Sequence, residues 1–306
     1  MRREVEKIIS NVARVFRGGR EKIELALLSL LADGHLLIED IPGVGKTLLA
    51  RALALSISCE FRRVQFTSDL LPSDIIGTVV FSQKKGEFYL RKGPVFTNIL
   101  LADEINRGSP RTQSALLEAM NESKVSIEGR TLPLPEPFLV IATQNPVELH
   151  GTYPLPESQL DRFLISMSLG YPEKGEEKRM ILEQKERDPL QGLSPVASRE
   201  EILRMQEEVR KVRLVDEILD YILSIVQATR NHPSLRLGAS PRASLFLSRA
   251  SQARAFMEGR DYVVPDDIKW VAPHVLSHRL FPRGERTRNE MTSFVKQILR
   301  ELRSPG

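Results

Sequence analysis

Residues His35 to Leu49 read His-Leu-Leu-Ile-Glu-Asp-Ile-Pro-Gly-Val-Gly-Lys-Thr-Leu-Leu. The apolar run Leu36 to Ile38 predicts a buried strand. Pro42, Gly43 and Gly45 predict a tight turn, and an amphipathic run opening at Lys46-Thr47 predicts a helix. Strand, glycine turn and helix in that order form a phosphate cradle. Glycines let backbone N–H groups converge on an anion without Cβ clashes, and a helix N-terminus offers free donors and the positive end of its dipole. Lys46 can then reach the outer phosphates, and the Thr47 hydroxyl can hold Mg²⁺. The expected phosphate-contacting set is Pro42, Gly43, Val44, Gly45, Lys46, Thr47 and Leu48, with ATP and Mg²⁺ as cofactors. Asp40 stands where such loops usually carry their first glycine.

Outward from this loop, the sequence alternates between strand and helix patterns up to about residue 170. Two helices precede the loop, Arg2 to Phe16 and about Glu21 to Ala32, separated by Gly18-Gly19. After the loop helix, Phe61 to Phe66 alternates as a strand. Residues 70–96 read as an insertion carrying a hairpin, with Phe81, Phe88, Tyr89 and Leu90 flanking a turn at Lys84-Lys85-Gly86. Asn98 to Ala102 and Phe138 to Thr143 are apolar strands of the kind found in a parallel sheet covered on both faces. Between them lie a helix opened by Ser109-Pro110 and a second hairpin over 124–137. A last strand falls within Leu160 to Leu169.

Beyond Tyr171-Pro172 only helices are expected: about Lys174 to Arg187, Arg199 to Lys211, Asp216 to Asn231, Pro241 to Glu258, Asp266 to Ser277 and Asn289 to Leu302. Ser198 and Glu201 form a capping box, and 188–197 is the linker candidate. The fold class is α/β, a parallel-sheet core with hairpin insertions over 1–172. A connecting helix and linker over 173–197 leads to an all-helical lid over 198–306. Nucleotide is expected at the carboxyl ends of the strands.

Composition narrows the setting. The chain has 306 residues, enough for a large core. With one cysteine, Cys59, an intramolecular disulfide framework is excluded and a reducing compartment is expected. The segment Met1-Arg-Arg-Glu-Val-Glu-Lys lacks the apolar run of a signal peptide, and no apolar stretch reaches membrane-spanning length. The expectation is a cytoplasmic protein with no membrane insertion. Forty-four basic residues against 40 acidic ones leave a net charge of +4, which permits nucleic-acid binding without arguing for it.

Asp103-Glu104 closes the apolar strand that begins at Asn98. Asp103 is expected to hold Mg²⁺, and Glu104 to orient and polarise the attacking water. Phosphoryl transfer depends mainly on positioning and charge stabilisation, so these carboxylates with Lys46 supply most of the local machinery. Asn145, just past the next strand, can share the water. Arg162 sits where the chain re-enters the sheet. Arg242 lies in the first turn of a lid helix, where a cation opposes the dipole and calls for an anion such as a γ-phosphate. The five histidines show no zinc-site spacing.

At this point the chain resembles the MoxR family of AAA+ ATPases, over about Val15 to Leu280. The resemblance rests on Leu37-Ile-Glu-Asp-Ile-Pro-Gly-Val-Gly-Lys-Thr47, Gln65-Phe-Thr-Ser-Asp-Leu-Leu-Pro-Ser-Asp74, Gly93-Pro-Val-Phe96 and Asp103-Glu-Ile-Asn-Arg107. It extends through Gln113 to Met120, Ala142-Thr-Gln-Asn-Pro146, Gly151 to Glu157, Leu160-Asp-Arg-Phe163 and Gly238 to Ser244. It implies that Lys46 and Thr47 belong to a Walker A motif, and Asp103 and Glu104 to a Walker B motif. Asn145 would be sensor 1, Arg162 an arginine finger offered to the neighbouring subunit, and Arg242 sensor 2. Gln65 or Thr67 would tether Glu104 between cycles. The family also implies a ring, usually a hexamer, a protein client to be remodelled or matured (in some cases by metal insertion), and a separate partner with a von Willebrand factor A domain. Where the family carries Gly-Gln before its second helix, this chain has Gly18-Gly19-Arg20. A nucleic-acid-dependent motor and a magnesium-chelatase-like motor subunit are the alternative readings.

Overall fold

A computed structural model describes residues 2–146, 151–171, 174–183, 189–284 and 287–305. In chain order, α1 (Arg2–Ala13) and α2 (Arg20–Leu31) lead to β1 (Leu36–Glu39) and α3 (Lys46–Ser56). Next come β2 (Phe61–Gln65), the short α4 (Pro72–Ile76), and a hairpin of β3 (Gly77–Ser82) and β4 (Glu87–Lys92). Then β5 (Ile99–Asp103) and α5 (Pro110–Glu122) are followed by a second hairpin, β6 (Lys124–Ile127) and β7 (Arg130–Pro133). The core closes with β8 (Leu139–Gln144), α6 (Glu157–Leu160) and β9 (Ile165–Met167).

The five core strands pair in parallel in the order β2-β5-β8-β1-β9. Their side chains alternate between two apolar layers. Leu36, Ile38, Ile99, Leu101, Leu139 and Ile141 face the layer that holds α1, α2 and α3. Leu37, Leu100, Ala102, Val140 and Ala142 face the layer that holds α5 and the hairpins. Both faces are therefore dry, which is why β5 and β8 read as continuous apolar runs. The chain leaves β1 next to β9 and crosses to β2 at the far edge, which opens a crevice at the carboxyl ends of the strands.

The insertion is a helical turn followed by the hairpin, anchored at its base. A Cβ on Gly93 would lie 2.2 Å from the Ile75 carbonyl oxygen, and one on Gly77 2.4 Å from that of Arg91. Only glycine permits that approach of backbones. The second hairpin turns through Glu128 and Gly129, both at positive φ, as a two-residue turn requires.

Downstream, α7 (Lys174–Glu183) leads to α8 (Arg199–Lys211), α9 (Asp216–Arg230), β10 (Leu235–Leu237), α10 (Pro241–Met257), α11 (Pro265–Leu276), β11 (Phe281–Pro282) and α12 (Arg288–Glu301). The expected continuation of α7 to Arg187 lies outside the described residues. The capping box on α8 is present, with Ser198 Oγ accepting from the Glu201 N–H at 3.2 Å and Glu201 accepting from the Ser198 N–H at 2.6 Å. To the helices the structure adds the short antiparallel pair β10–β11, too brief to leave a period in the sequence. The linker candidate is docked over its described part. Val196 and Ala197 donate to the Ser56 carbonyl at 2.9 and 3.1 Å, and Asn11 Nδ2 donates to the Ser194 carbonyl at 3.0 Å. Leu190, Leu193 and Ala197 join the same apolar layer as α1–α3 and the lid helices. Segments 1–172, 173–197 and 198–306 are retained as a proposed division of the chain, not as separate cores. Burial pushes the Cys59 thiol up to about 11, so it stays protonated and unreactive at neutral pH.

Two histidines are sealed in this core. His35 Nδ1 accepts from the Val140 N–H at 3.1 Å, and its Nε2 donates to the Met120 carbonyl at 2.9 Å, which fixes a neutral tautomer. His278 lies beside the Arg279 guanidinium at 2.7 Å and the Phe163 carbonyl at 3.0 Å. Burial pushes both below the usual histidine range, and the Arg279 charge pushes His278 further. The unfolded chain therefore binds protons below pH ~6.5 that the native state refuses. Stability contributed by these groups is complete above that pH and falls as pH drops, by up to about 1.4 kcal/mol per unit for each. The thermal midpoint should decline between pH 6.5 and 5, less steeply in His35→Gln. An equal slope in the variant would contradict the assignment.

Candidate active site

Loops at the carboxyl ends of β1, β5 and β8 build the site. After β1, Gly43 and Gly45 take φ of 87° and 93°, the left-handed region open to glycine. Gly45 is the N-cap of α3 and supplies no capping side chain, so the first-turn N–H groups point into the loop. Nothing lies within 4 Å of a Cβ built on Gly43, and the cradle has room for an anion. Lys46 Nζ donates to the Asp40 carbonyl at 2.8 Å. Burial pushes this ammonium down, while the charges of Asp103, Asp40 and Glu104 oppose that shift. The negative charges of these three residues thus act on one lysine, a charge arrangement that fits a phosphate and a divalent cation.

Asp40, the departure in the motif, is 8% exposed and acts as a strut. Its Oδ1 accepts from the Ile41 N–H at 2.9 Å. Its Oδ2 accepts from Ser168 Oγ at 2.9 Å and from the Leu169 and Gly170 N–H groups at 2.7 Å each. A glycine would leave those buried donors unpaired and the loop untied from the end of β9.

Asp103 is the last residue of β5. Its Oδ1 accepts from Thr143 Oγ1 at 2.6 Å, and its Oδ2 from Arg63 Nη2 at 2.6 Å and Nε at 3.1 Å. Glu104 follows in the left-handed region (φ 54°, ψ 50°), and its N–H donates to the same Thr143 hydroxyl at 2.9 Å. Glu104 Oε2 accepts from Gln65 Nε2 at 2.8 Å and pairs with Arg107 at 2.8 Å. Of the two expected tethers, Gln65 makes the contact, whereas Thr67 bonds Asp69. Asn145 directly follows β8, the strand between β1 and β5, and so stands between the phosphate loop and the Asp103-Glu104 pair. The chemistry available here is binding of a polyphosphate at α3, a cation between Thr47 and Asp103, and polarisation of a water by Glu104.

Arg162 and Arg242 belong to a different cluster. Arg162 Nη1 donates to the Leu117 carbonyl of α5 at 2.8 Å, on the face of the sheet opposite α3. Burial pushes its guanidinium down, the Arg242 charge adds to that, and Glu118 opposes it. Arg242 lies 3.9 Å from Asp161. Asp161 also accepts from Ser240 Oγ at 3.0 Å and pairs with the buried Arg279 at 2.9 Å. Arg162 and Arg242 are close enough to repel one another, and Asp161 balances Arg242 while also tying core to lid. Arg63, Thr143 and Asp161 were not singled out in the sequence. Arg63 alone carried a signal, since it precedes Gln65 by two residues in an alternating strand and so shares its face.

Comparison with known proteins agrees with this geometry. The sequence model of the ATPase family associated with various cellular activities (AAA) matches residues 35–165, and that of the AAA lid domain matches residues 227–301. The chain is 50% identical to the uncharacterized protein YeaC of Bacillus subtilis, covering 98% of this chain and 94% of that protein. It is 45% identical to Chaperone MoxR1 of Mycobacterium tuberculosis, covering 98% and 82%. A solved crystal structure from Cytophaga hutchinsonii, provisionally assigned as an ATPase, superposes with a TM-score of 0.92 at 39% identity, covering 100% of this chain and 96% of that one.

Removing the strut should separate loop order from folding. Asp40→Ala takes the acceptor from three N–H groups, the buried one of Leu169 and the part-buried ones of Ile41 and Gly170, at a cost of about 1–3 kcal/mol, and should lower the thermal midpoint by several degrees while the protein still folds. Affinity for a fluorescent ADP analogue should fall at least tenfold (roughly one unsatisfied buried donor). Unchanged affinity would show that the loop keeps its shape without Asp40.

Proposed function

The chain belongs to the MoxR family of AAA+ ATPases, and from that membership we propose that it is a Mg²⁺-dependent ATP hydrolase coupling turnover to remodelling of a protein client. The observation that carries this reading is the left-handed Gly43–Gly45 turn that opens the N-terminus of α3, with Lys46 Nζ held at the Asp40 carbonyl beside it and Asp103-Glu104 at the end of β5. N–H groups of Gly43 to Leu48 would receive the phosphates, with Pro42, which has no N–H, shaping the turn before them. Lys46 leaves the Asp40 carbonyl for the outer phosphates. Thr47 and Asp103 would hold Mg²⁺, which would supply neutralising charge. Glu104, released from Gln65, orients a water and draws its proton, and Asn145 provides the second contact.

Arg162 and Arg242 complete the reading as cations that meet a γ-phosphate. The anchoring of Arg162 to α5, on the sheet face opposite α3, supports delivery to a neighbouring subunit rather than to its own loop. That placement and the family likeness both support a ring, which we take to be a hexamer, as is usual in the family. A separate partner with a von Willebrand factor A domain and, as one output, metal insertion into the client extend the proposal by family likeness. Among the described residues no helix is long and apolar enough to cross a membrane. With the single Cys59, this supports our assignment to the cytoplasm.

Two variants test the proposal. Glu104→Gln should keep ATP affinity and lose hydrolysis by roughly 10²–10⁴, the usual worth of a positioned base. The trapped protein should retain its client through nuclease treatment. Loss of everything bound on nuclease treatment would favour a nucleic-acid motor instead. Arg162→Ala should bind ATP normally yet hydrolyse it roughly 10³–10⁵ more slowly, as for arginine fingers elsewhere. Near-normal turnover would remove Arg162 from the chemistry.

A further inference from the structure

The carboxylate expected to hold Mg²⁺ already holds a cation. Arg63 Nη2 and Nε both donate to Asp103 Oδ2, at 2.6 and 3.1 Å. The same Nη2 donates to Gln65 Oε1 at 2.8 Å, and Gln65 Nε2 donates to Glu104 Oε2 at 2.8 Å. Asp103, Arg63, Gln65 and Glu104 therefore form one unbroken chain. Its two ends are the two acidic residues of the site, and its middle is two side chains of β2. The register explains how this arises. Gln65 pairs with Asp103 and Arg63 with Leu101, so β2 presents Arg63 and Gln65 on the sheet face where Asp103 emerges.

Resting on the hydrolase reading above, we propose that Arg63 is a positioning residue that competes with the divalent cation for Asp103 and, through Gln65, withholds Glu104 until that cation arrives. Asp103 Oδ2 cannot give its lone pairs fully to the guanidinium and to a metal at once, because the two positive charges would meet at one oxygen. Leaving Asp103 costs Arg63 little, since its side chain is 48% exposed and the guanidinium can move into water. When Arg63 moves away, Gln65 loses the partner that orients its amide, and its grip on Glu104 loosens with it. The chain of contacts thus makes release of the water-polarising carboxylate conditional on a loaded metal position, which limits futile hydrolysis and off-register attack.

Phe81 and Phe88 form an exposed aromatic pair on the β3–β4 hairpin, and Leu219 and Leu223 of α9 with its N-cap Val215 form an exposed stripe, but nothing in the structure shows what covers either.

The test reads metal and nucleotide binding directly, without turnover. A fluorescent ADP analogue is titrated onto wild type at graded Mg²⁺, and the half-saturating Mg²⁺ is compared with that of Arg63→Met and Arg63→Lys. Removing the competitor should lower half-saturating Mg²⁺ roughly two- to fivefold in Arg63→Met, the scale of a partly exposed ion pair, with affinity in EDTA unchanged. Arg63→Lys restores the charge and should return the requirement toward wild type. Gln65→Leu takes away the second anchor of Arg63 and should lower the requirement about twofold, with the double variant no lower than Arg63→Met alone. If Arg63→Met does not fold by circular dichroism, Arg63→Gln, which keeps a donor without charge, carries the same expectation. An unchanged or raised Mg²⁺ requirement, or additive effects of the two substitutions, would overturn the inference. Failure of wild type to bind the nucleotide at all would instead overturn the hydrolase reading.

Discussion

Both faces of the five-stranded parallel sheet are covered, and this constraint shapes everything that can do chemistry. Within β1, β5 and β8, residues such as Leu37, Leu100, Leu101 and Ile141 are fully buried, and charge has no place there. It is pushed to the carboxyl ends, where Asp40, Asp103, Glu104 and Asn145 stand on adjacent loops above one helix N-terminus. Parallel pairing brings those ends level, as the register Gln65–Asp103 and Glu39–Gln144 shows. The site is thus a consequence of burial and topology before any ligand is considered.

Buried polar groups then lock the loops to one another. The Thr143 hydroxyl donates to Asp103 and accepts from the Glu104 backbone, tying β5 to β8. Asp40 ties the phosphate loop to the end of β9. Asp161 ties the Arg162 segment to Ser240 and Arg279 of the helical region, and burial pushes the Arg279 guanidinium down to about 10 even though Asp161 opposes it. Besides the shared apolar layer, core and lid are thus joined at Asp161, beside Arg162 and Arg242.

Much of this was legible in the sequence where the determinants are local. The phosphate loop, the Asp103-Glu104 pair, the capping box at Ser198 and Glu201, and helix α8 all depend on residues within a turn or two of each other. Gln65 as the tether of Glu104 came from family resemblance, and the structure selects it over Thr67. What could not be read depends on distant partners. Asp40 was visible as a departure, but its cause lies about 130 residues on, at Ser168 to Gly170. Residues 189–197 look like a linker by composition, yet they dock on α3 because Leu190, Leu193 and Ala197 find an apolar layer. Arg63 looked like one more surface arginine until pairing of β2 with β5 set it against Asp103.

In the function proposed, the site is completed across a subunit boundary, with Lys46 on one side and Arg162 on the other. Mixing Lys46→Ala with Arg162→Ala tests this most directly. Each variant alone should be inactive. Mixed rings should recover ATP hydrolysis, greatest near equal proportions, because some interfaces then pair an intact phosphate loop with an intact Arg162. No recovery at any mixing ratio, with mixed assembly verified, would contradict it.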